Sequence, residues 1–171
     1  MIVLALALVL AASSAAASAA PSPSPPNCNA NEYRQLDFWV GQWEVFDTAG
    51  GYQVGTSTIE RVMGGCAIRE SYTAPKAPGG PYSGTSLSSF DRKDGRWHQT
   101  YVDTNGSLTQ FTGGAEGKAL AMTAPGLRGA LQRMTYTPLP DGSVTQVGTT
   151  SNDEGKNWQP GYDYTYRRAT R

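Results

Sequence analysis

The sequence predicts an all-β fold: a single up-and-down antiparallel barrel of about ten strands with a short N-terminal helix. Three observations predict it. Short runs with period-two alternation succeed one another from residue 38 to the C-terminus, and period two is the repeat of a strand with one covered face. Clusters of Gly, Asp and Asn divide those runs at intervals of roughly ten residues, the spacing of a meander of hairpins. No internal repeat is present, which disfavours a propeller. A meander this long hides its edges most simply by closing on itself.

The elements follow in order. Residues 1–20 are mostly Leu, Val, Ala and Ser without a charged side chain, closing on Ala17-Ser18-Ala19-Ala20. An apolar core followed by small residues is the pattern of a secretory signal peptide, with cleavage expected after Ala19 or Ala20. The Lys or Arg usual before such a core is absent. The run is too short and too rich in Ala and Ser to read as a membrane span, which needs ~20 strongly apolar residues. Export to the periplasm or the extracellular space is therefore expected. Pro21 to Pro26 alternates Pro and Ser, and residues 21–27 form an extended spacer. Residues 28–171 then make one domain. Asn29 to Leu36 suits one or two helical turns, with Asn29 or Asn31 as cap.

The strands fall at 38–47, 52–63, 66–74, 82–91, 96–103, 107–114, 118–124, 130–138, 143–151 and 158–168. Lys93-Asp94-Gly95, Thr104-Asn105-Gly106 and Pro140-Asp141-Gly142 separate neighbouring runs. Such Asn-Gly and Asp-Gly steps suit the positive φ of tight hairpin turns.

Composition excludes several functions. The chain carries 14 basic and 14 acidic residues, so it has no basic footprint for nucleic acid or an anionic membrane. One histidine and two cysteines are too few for a zinc site. No Gly-x-Ser-x-Gly elbow is present, and no second His completes a serine triad. Alternation turns His98 outward, opposite to Trp97 and Gln99. Export permits a disulfide between Cys28 and Cys66, the alternative being two separate thiols.

Residues two apart share a face, so the strand faces can be assigned. Trp39, Gly41, Trp43 and Val45 form one face; Cys66, Ile68, Glu70 and Tyr72 another. Tyr82, Gly84, Ser86, Ser88 and Phe90 make a third. Trp97, Gln99, Tyr101 and Asp103 make a fourth, and Val144, Gln146, Gly148 and Thr150 a fifth. These faces hold most of the Trp and much of the Tyr and are assigned inward. The interior is then mixed, and a buried polar group without a partner costs ~1–3 kcal/mol. Two arrangements satisfy it: a Glu–Arg–Gln network filling a narrow barrel, with Arg69 or Arg133 as the cation, or a wet ligand cavity.

Two local motifs stand out. Gly41-x-Trp43 suits a seal at one barrel end, with Arg167 or Arg168 stacked on the indole. Ser151 to Trp158 resembles the Asp-box hairpin of sialidases, Ser-x-Asp-x-Gly-x-x-Trp, and as a single copy is assigned to a structural turn.

Taken together, Leu36 to Val45, Gly65 to Glu70, Trp97 to Asp103 and Ser151 to Trp158 resemble a family of exported bacterial proteins of unknown function. The resemblance covers nearly all of the chain beyond the leader. It implies a lipocalin-like (calycin) barrel with no assigned activity. Cys28 and Cys66 match paired positions in that family, which implies a disulfide. Gly148 replaces an expected bulky aromatic, implying extra room beside Gln146. The ten-stranded nitrobindins are similar barrels that hold haem through a His on a late strand. The last seventy residues here have no His, so that function is not carried over and no cofactor is expected.

The function these observations favour is binding of a small, partly apolar molecule by a monomeric barrel. Trp39, Trp43, Trp97, Tyr72 and Tyr101 are the expected walls. Glu70, Ser86, Ser88, Gln99 and Gln146 are the expected polar handles, with Arg133 as a further partner. Two alternatives use the same strands: a packed envelope domain without a ligand, and an enzyme with Glu70 as base and Tyr101 or Tyr72 as donor.

Overall fold

A computed structural model describes residues 28–170; the expected signal peptide and Pro/Ser spacer lie outside the described residues. Ten strands follow one another: Gly41–Asp47 (β1), Gln53–Val62 (β2), Ala67–Ala74 (β3), Tyr82–Asp91 (β4) and Arg96–Asp103 (β5), then Leu108–Glu116 (β6), Ala119–Pro125 (β7), Leu131–Pro138 (β8), Val144–Ser151 (β9) and Gln159–Arg168 (β10). Each pairs antiparallel with its sequence neighbours, and β1 pairs with β10 to close the barrel. Closure leaves no free sheet edge, the property that the alternating pattern demanded. Ten strands also enclose more space than the eight whose side chains just fill a barrel.

The turns behave as their sequences require. Asp141 Oδ1 accepts from the Ser143 amide at 3.0 Å and from the Ser143 hydroxyl at 2.6 Å. Between them Gly142 takes φ +82°, which only a residue without a Cβ adopts at little cost. The Ser151 hairpin is held in the same way. Ser151 Oγ accepts from the Gly155 amide at 2.8 Å, and Asp153 Oδ1 accepts from the Asn157 amide at 2.8 Å. Backbone-amide donors such as these hold the Asp153 carboxyl down at about 2. The hairpin is therefore a structural turn.

The N-terminal arm differs from expectation. Two 3₁₀ turns, Asn31–Arg34 and Asp37–Trp39, replace the helical turns over 29–36. Ala30 precedes the first in an extended conformation, and no side chain caps it, so neither Asn29 nor Asn31 is the cap. The first strand begins at Gly41 rather than at residue 38, because the second 3₁₀ turn swings Trp39 beneath the barrel. There Leu36, Trp39, Trp43 and Trp97 are all but completely buried. Trp43 Nε1 donates to the Trp39 carbonyl at 2.8 Å, and Trp97 Nε1 donates to Gln35 Oε1 at 2.9 Å. Side chains of this size stabilise by ~1.5–3 kcal/mol each on burial, so the arm is an integral floor.

Three further ties hold that floor. Cys28 and Cys66 form a disulfide with Cα atoms 4.9 Å apart. Arg61, from the end of β2, pairs with Asp37 and donates to the Gly65 carbonyl at 2.7 Å and the Cys28 carbonyl at 3.3 Å. Arg168, from the end of β10, lies 3.9 Å over the Trp43 ring and donates to the Val40 carbonyl at 2.7 Å. Gly41 (φ +150°) lets the guanidinium in, since a Cβ there would overlap it. The Gly-x-Trp step thus seals one end. No helix among the described residues is long and apolar enough to cross a membrane.

Candidate functional site

Above the floor the barrel encloses a cavity of about 570 Å³, within the ~300–1,000 Å³ typical of small-molecule sites. It opens at the end formed by the β1–β2 turn and the β3–β4 loop, where Asp47, Tyr52, Lys76 and Pro78 stand around the mouth. Eight of the nine tyrosines line it. The exception is Tyr33, which packs against Phe90 near the floor.

The tyrosines converge for a reason written in the strands. Gly55 on β2, Gly84 on β4 and Gly148 on β9 face inward, and a Cβ on each would overlap the ring of Tyr72, Tyr101 or Tyr162 respectively. Each glycine lets a tyrosine on the adjacent strand lie flat across the sheet, a pairing that covers otherwise bare backbone. Gly148 therefore does not leave extra room beside Gln146, because the Tyr162 ring occupies that place. Nearer the mouth Tyr82 and Tyr101 share a hydroxyl–hydroxyl bond of 2.7 Å, and the rings of Tyr162 and Tyr164 stack at 5.1 Å.

Glu70 is the deep charged group of this cavity, only 3% exposed. Its Oε1 accepts from Ser57 Oγ at 2.9 Å, and its Oε2 lies 3.5 Å from Ser86 Oγ. The Tyr166 hydroxyl is 3.3 Å from Oε1 but only 2.7 Å from Gln146 Oε1. A phenol has a single proton, and the shorter bond takes it. Burial pushes the Glu70 carboxyl up to about 7, against the bonds from Ser57, Tyr166 and Ser86 that favour its ionised form. A protonated Glu70 can donate to the Tyr166 oxygen, which removes the competition for one proton.

The network continues across the barrel. Gln146 Nε2 donates to the Tyr136 hydroxyl at 3.1 Å and approaches Met134 Sδ at 2.9 Å. Gln99 Nε2 donates to Ser88 Oγ at 2.9 Å and to the Tyr136 hydroxyl at 3.3 Å. The Tyr136 hydroxyl oxygen thus accepts twice. Burial raises the Tyr136 and Tyr166 phenols above their ordinary values, with the Glu70 charge adding to the effect. Both remain neutral donors.

The structure thus brings together Glu70, Tyr72, Gln99, Tyr101 and Gln146 on the cavity wall. Ser86 and Ser88 are buried behind it, bonded to Glu70 and Gln99. Four expected residues lie elsewhere. Trp39, Trp43 and Trp97 belong to the floor beneath the cavity rather than to its wall, because the 3₁₀ turns pack around them; the Trp39 ring contacts Tyr136 from below at 4.4 Å. Arg133 faces outward from β8 and pairs with Glu116 of β6 at 2.5 Å. Arg69 likewise pairs outside, with Glu60. Among the described residues no arginine lines the cavity, so neither is the interior cation of a Glu–Arg–Gln network. Ser57, Met134, Tyr136, Tyr162, Tyr164 and Tyr166 were not anticipated as site residues. Period-two spacing of Tyr162, Tyr164 and Tyr166 along one strand carries the information for three of them.

No protein-family model and no curated protein sequence matches this chain. What the structure shows is the closed ten-stranded antiparallel barrel.

Two other groups of polar side chains lie off the cavity wall. Asp103 accepts from the Asn105 and Ser107 amides and from Tyr82, so it shapes the β5–β6 turn. Asp91, Asp94 and His98 bring potential metal-ligand atoms within 4.8 Å of one another on the β4–β5 hairpin. Asp94 already accepts from His98 at 2.8 Å and from the Arg96 amide at 3.0 Å. This hairpin lies at the sealed end, away from the cavity.

Proposed function

We propose that this protein is an exported, monomeric, lipocalin-like (calycin) binding protein that holds one small, partly apolar molecule inside its barrel. The observation that carries the reading is the cavity: about 570 Å³ with tyrosine walls and a buried carboxyl at its inner end. A packed envelope domain would instead fill that space with side chains. Glu70, Tyr72, Tyr101, Gln99 and Gln146 contact the ligand, while Ser86 and Ser88 hold Glu70 and Gln99 in place. Export to the periplasm or the extracellular space agrees with the Cys28–Cys66 disulfide, which persists in oxidising compartments, and with the apolar leader expected over residues 1–20.

Native and denaturing mass spectra of protein purified from its own exported compartment test the proposal. A reproducible mass present in the native spectrum and lost on denaturation is expected, together with its loss in the Glu70→Gln and Gln99→Ala variants. A ligand retained undiminished by both folded variants would place binding outside the barrel.

A further inference from the structure

Resting on the ligand-binding reading above, the geometry points to a class of ligand: we propose that the cavity selects a small hydrophobic amine. The amine is bound as its cation, with the ammonium on Glu70 and the apolar body among the tyrosine rings. Charge placement carries the argument. Among the described residues three charged side chains line the cavity, and two of them, Asp47 and Lys76, stand at the mouth with opposite signs. Glu70 alone lies deep. Its immediate neighbours are neutral: Ser57 from β2, Ser86 from β4 and Tyr166 from β10. Tyr72, Tyr101, Tyr136 and Tyr162 also face it, and burial raises all four phenols, so none is an anion near neutral pH. Nearer the mouth, Tyr82 and Tyr164 are raised in the same way.

An anionic ligand would bring a second negative charge to a desolvated carboxylate with no cation beside it, the like-charge case that such a site rejects. A neutral ligand would leave the carboxylate with only its two serine donors and the shared tyrosine. A cation supplies the missing charge, and a tyrosine-lined wall suits an organic cation, because aromatic rings attract one electrostatically. Charge-assisted hydrogen bonds are roughly twice as strong as neutral ones, so the amine has an advantage over an uncharged analogue of the same shape.

Isothermal titration calorimetry on the purified protein with three matched ligands tests this: 4-phenylbutylamine, 4-phenylbutanol and 4-phenylbutyrate at pH 8. The neutral dye N-phenyl-1-naphthylamine reports independently whether the cavity takes up any apolar molecule. The amine is expected to bind about tenfold tighter than the alcohol, a difference of ~1.4 kcal/mol, and the carboxylate more weakly than both. With burial pushing Glu70 up to about 7, amine affinity is expected to fall by about tenfold from pH 8 to pH 5, to the level of the alcohol, as the carboxylate is protonated, while alcohol affinity stays level. Glu70→Gln is expected to abolish the amine's advantage. Should that variant not fold, the pH series on the wild-type protein decides alone.

Equal binding of amine and alcohol, tighter binding of the carboxylate, or amine affinity that ignores pH overturns the assignment. Dye uptake with none of the three ligands bound also overturns it, and leaves the ligand-binding reading standing. Absence of both dye and ligand binding overturns the two together.

Discussion

Glu70→Gln tests the buried carboxyl through stability, without any ligand. A carboxyl at about 7 in the folded barrel and 4.5 in the unfolded chain binds its proton more tightly when folded. Its contribution is therefore fully present below pH 4.5 and is lost as pH rises through 7. At about 1.4 kcal/mol per pH unit between the two values, the loss by pH 8 is about 3 kcal/mol. For a domain of this size that corresponds to roughly 10 °C in Tm. Glutamine is neutral throughout, so the variant lacks this descent. Thermal unfolding followed by tryptophan fluorescence at several pH values from 4 to 8 reads both curves. The low-lying carboxyls of Asp103, Asp141 and Asp153 act below this window and are common to both proteins. Wild-type Tm is expected to fall by about 10 °C relative to the variant across the window. Parallel curves would refute the buried, network-held placement of Glu70.

Three further outcomes follow from the frame around the cavity. Cys66→Ser opens a disulfide between residues 38 apart in sequence and should lower stability by about 4 kcal/mol, measured by urea unfolding; reducing agent should do the same to the wild type and nothing to the variant. Gly41→Val places a Cβ against the Arg168 guanidinium at a positive φ, so a loss of about 2 kcal/mol or more is expected; an unchanged urea midpoint would contradict the sealing role of the Gly-x-Trp step. Asp153 is held at about 2 by its turn, so its stabilisation is present above pH 4 and fades as pH falls toward 2. Asp153→Asn should therefore flatten the acid limb of the Tm curve, which thermal melts between pH 4 and pH 2 would show.

Much of the fold was legible because alternation and turn chemistry are local. Nine of the ten strands begin and end within two residues of the places that Gly, Asp and Asn clusters indicate. The tenth, β1, starts three residues later than alternation predicts, because Phe38 and Trp39 carry strand-like residue types into a 3₁₀ turn. Only tertiary packing beneath the barrel decides that conformation. The same blindness put Trp39, Trp43 and Trp97 in the cavity wall: alternation tells inside from outside but not floor from mouth. Arg133 shows the complementary failure, since its outward face follows from alternation with the buried Met134 on β8. Glu70, Gln99 and Gln146 were legible as polar residues on otherwise apolar inward faces. Their linkage through Tyr136 and Tyr166 was not, because it joins strands far apart in sequence. The pairing of Gly55, Gly84 and Gly148 with tyrosines lies between: each glycine is visible, but its partner depends on register.

Occlusion of the cavity tests the central claim most directly. Ala74 lies at the end of β3, buried and on the cavity wall near the mouth, and Ala74→Trp would place an indole in the space a ligand needs. Titration with N-phenyl-1-naphthylamine, with circular dichroism to verify that both proteins are folded, compares the variant with the wild type. A barrel that holds ligands in this cavity takes up one dye molecule per chain in the wild type and binds it at least about tenfold more weakly in the variant, ~1.4 kcal/mol or more. Equal binding by both proteins, or no uptake by the folded wild type, would contradict it.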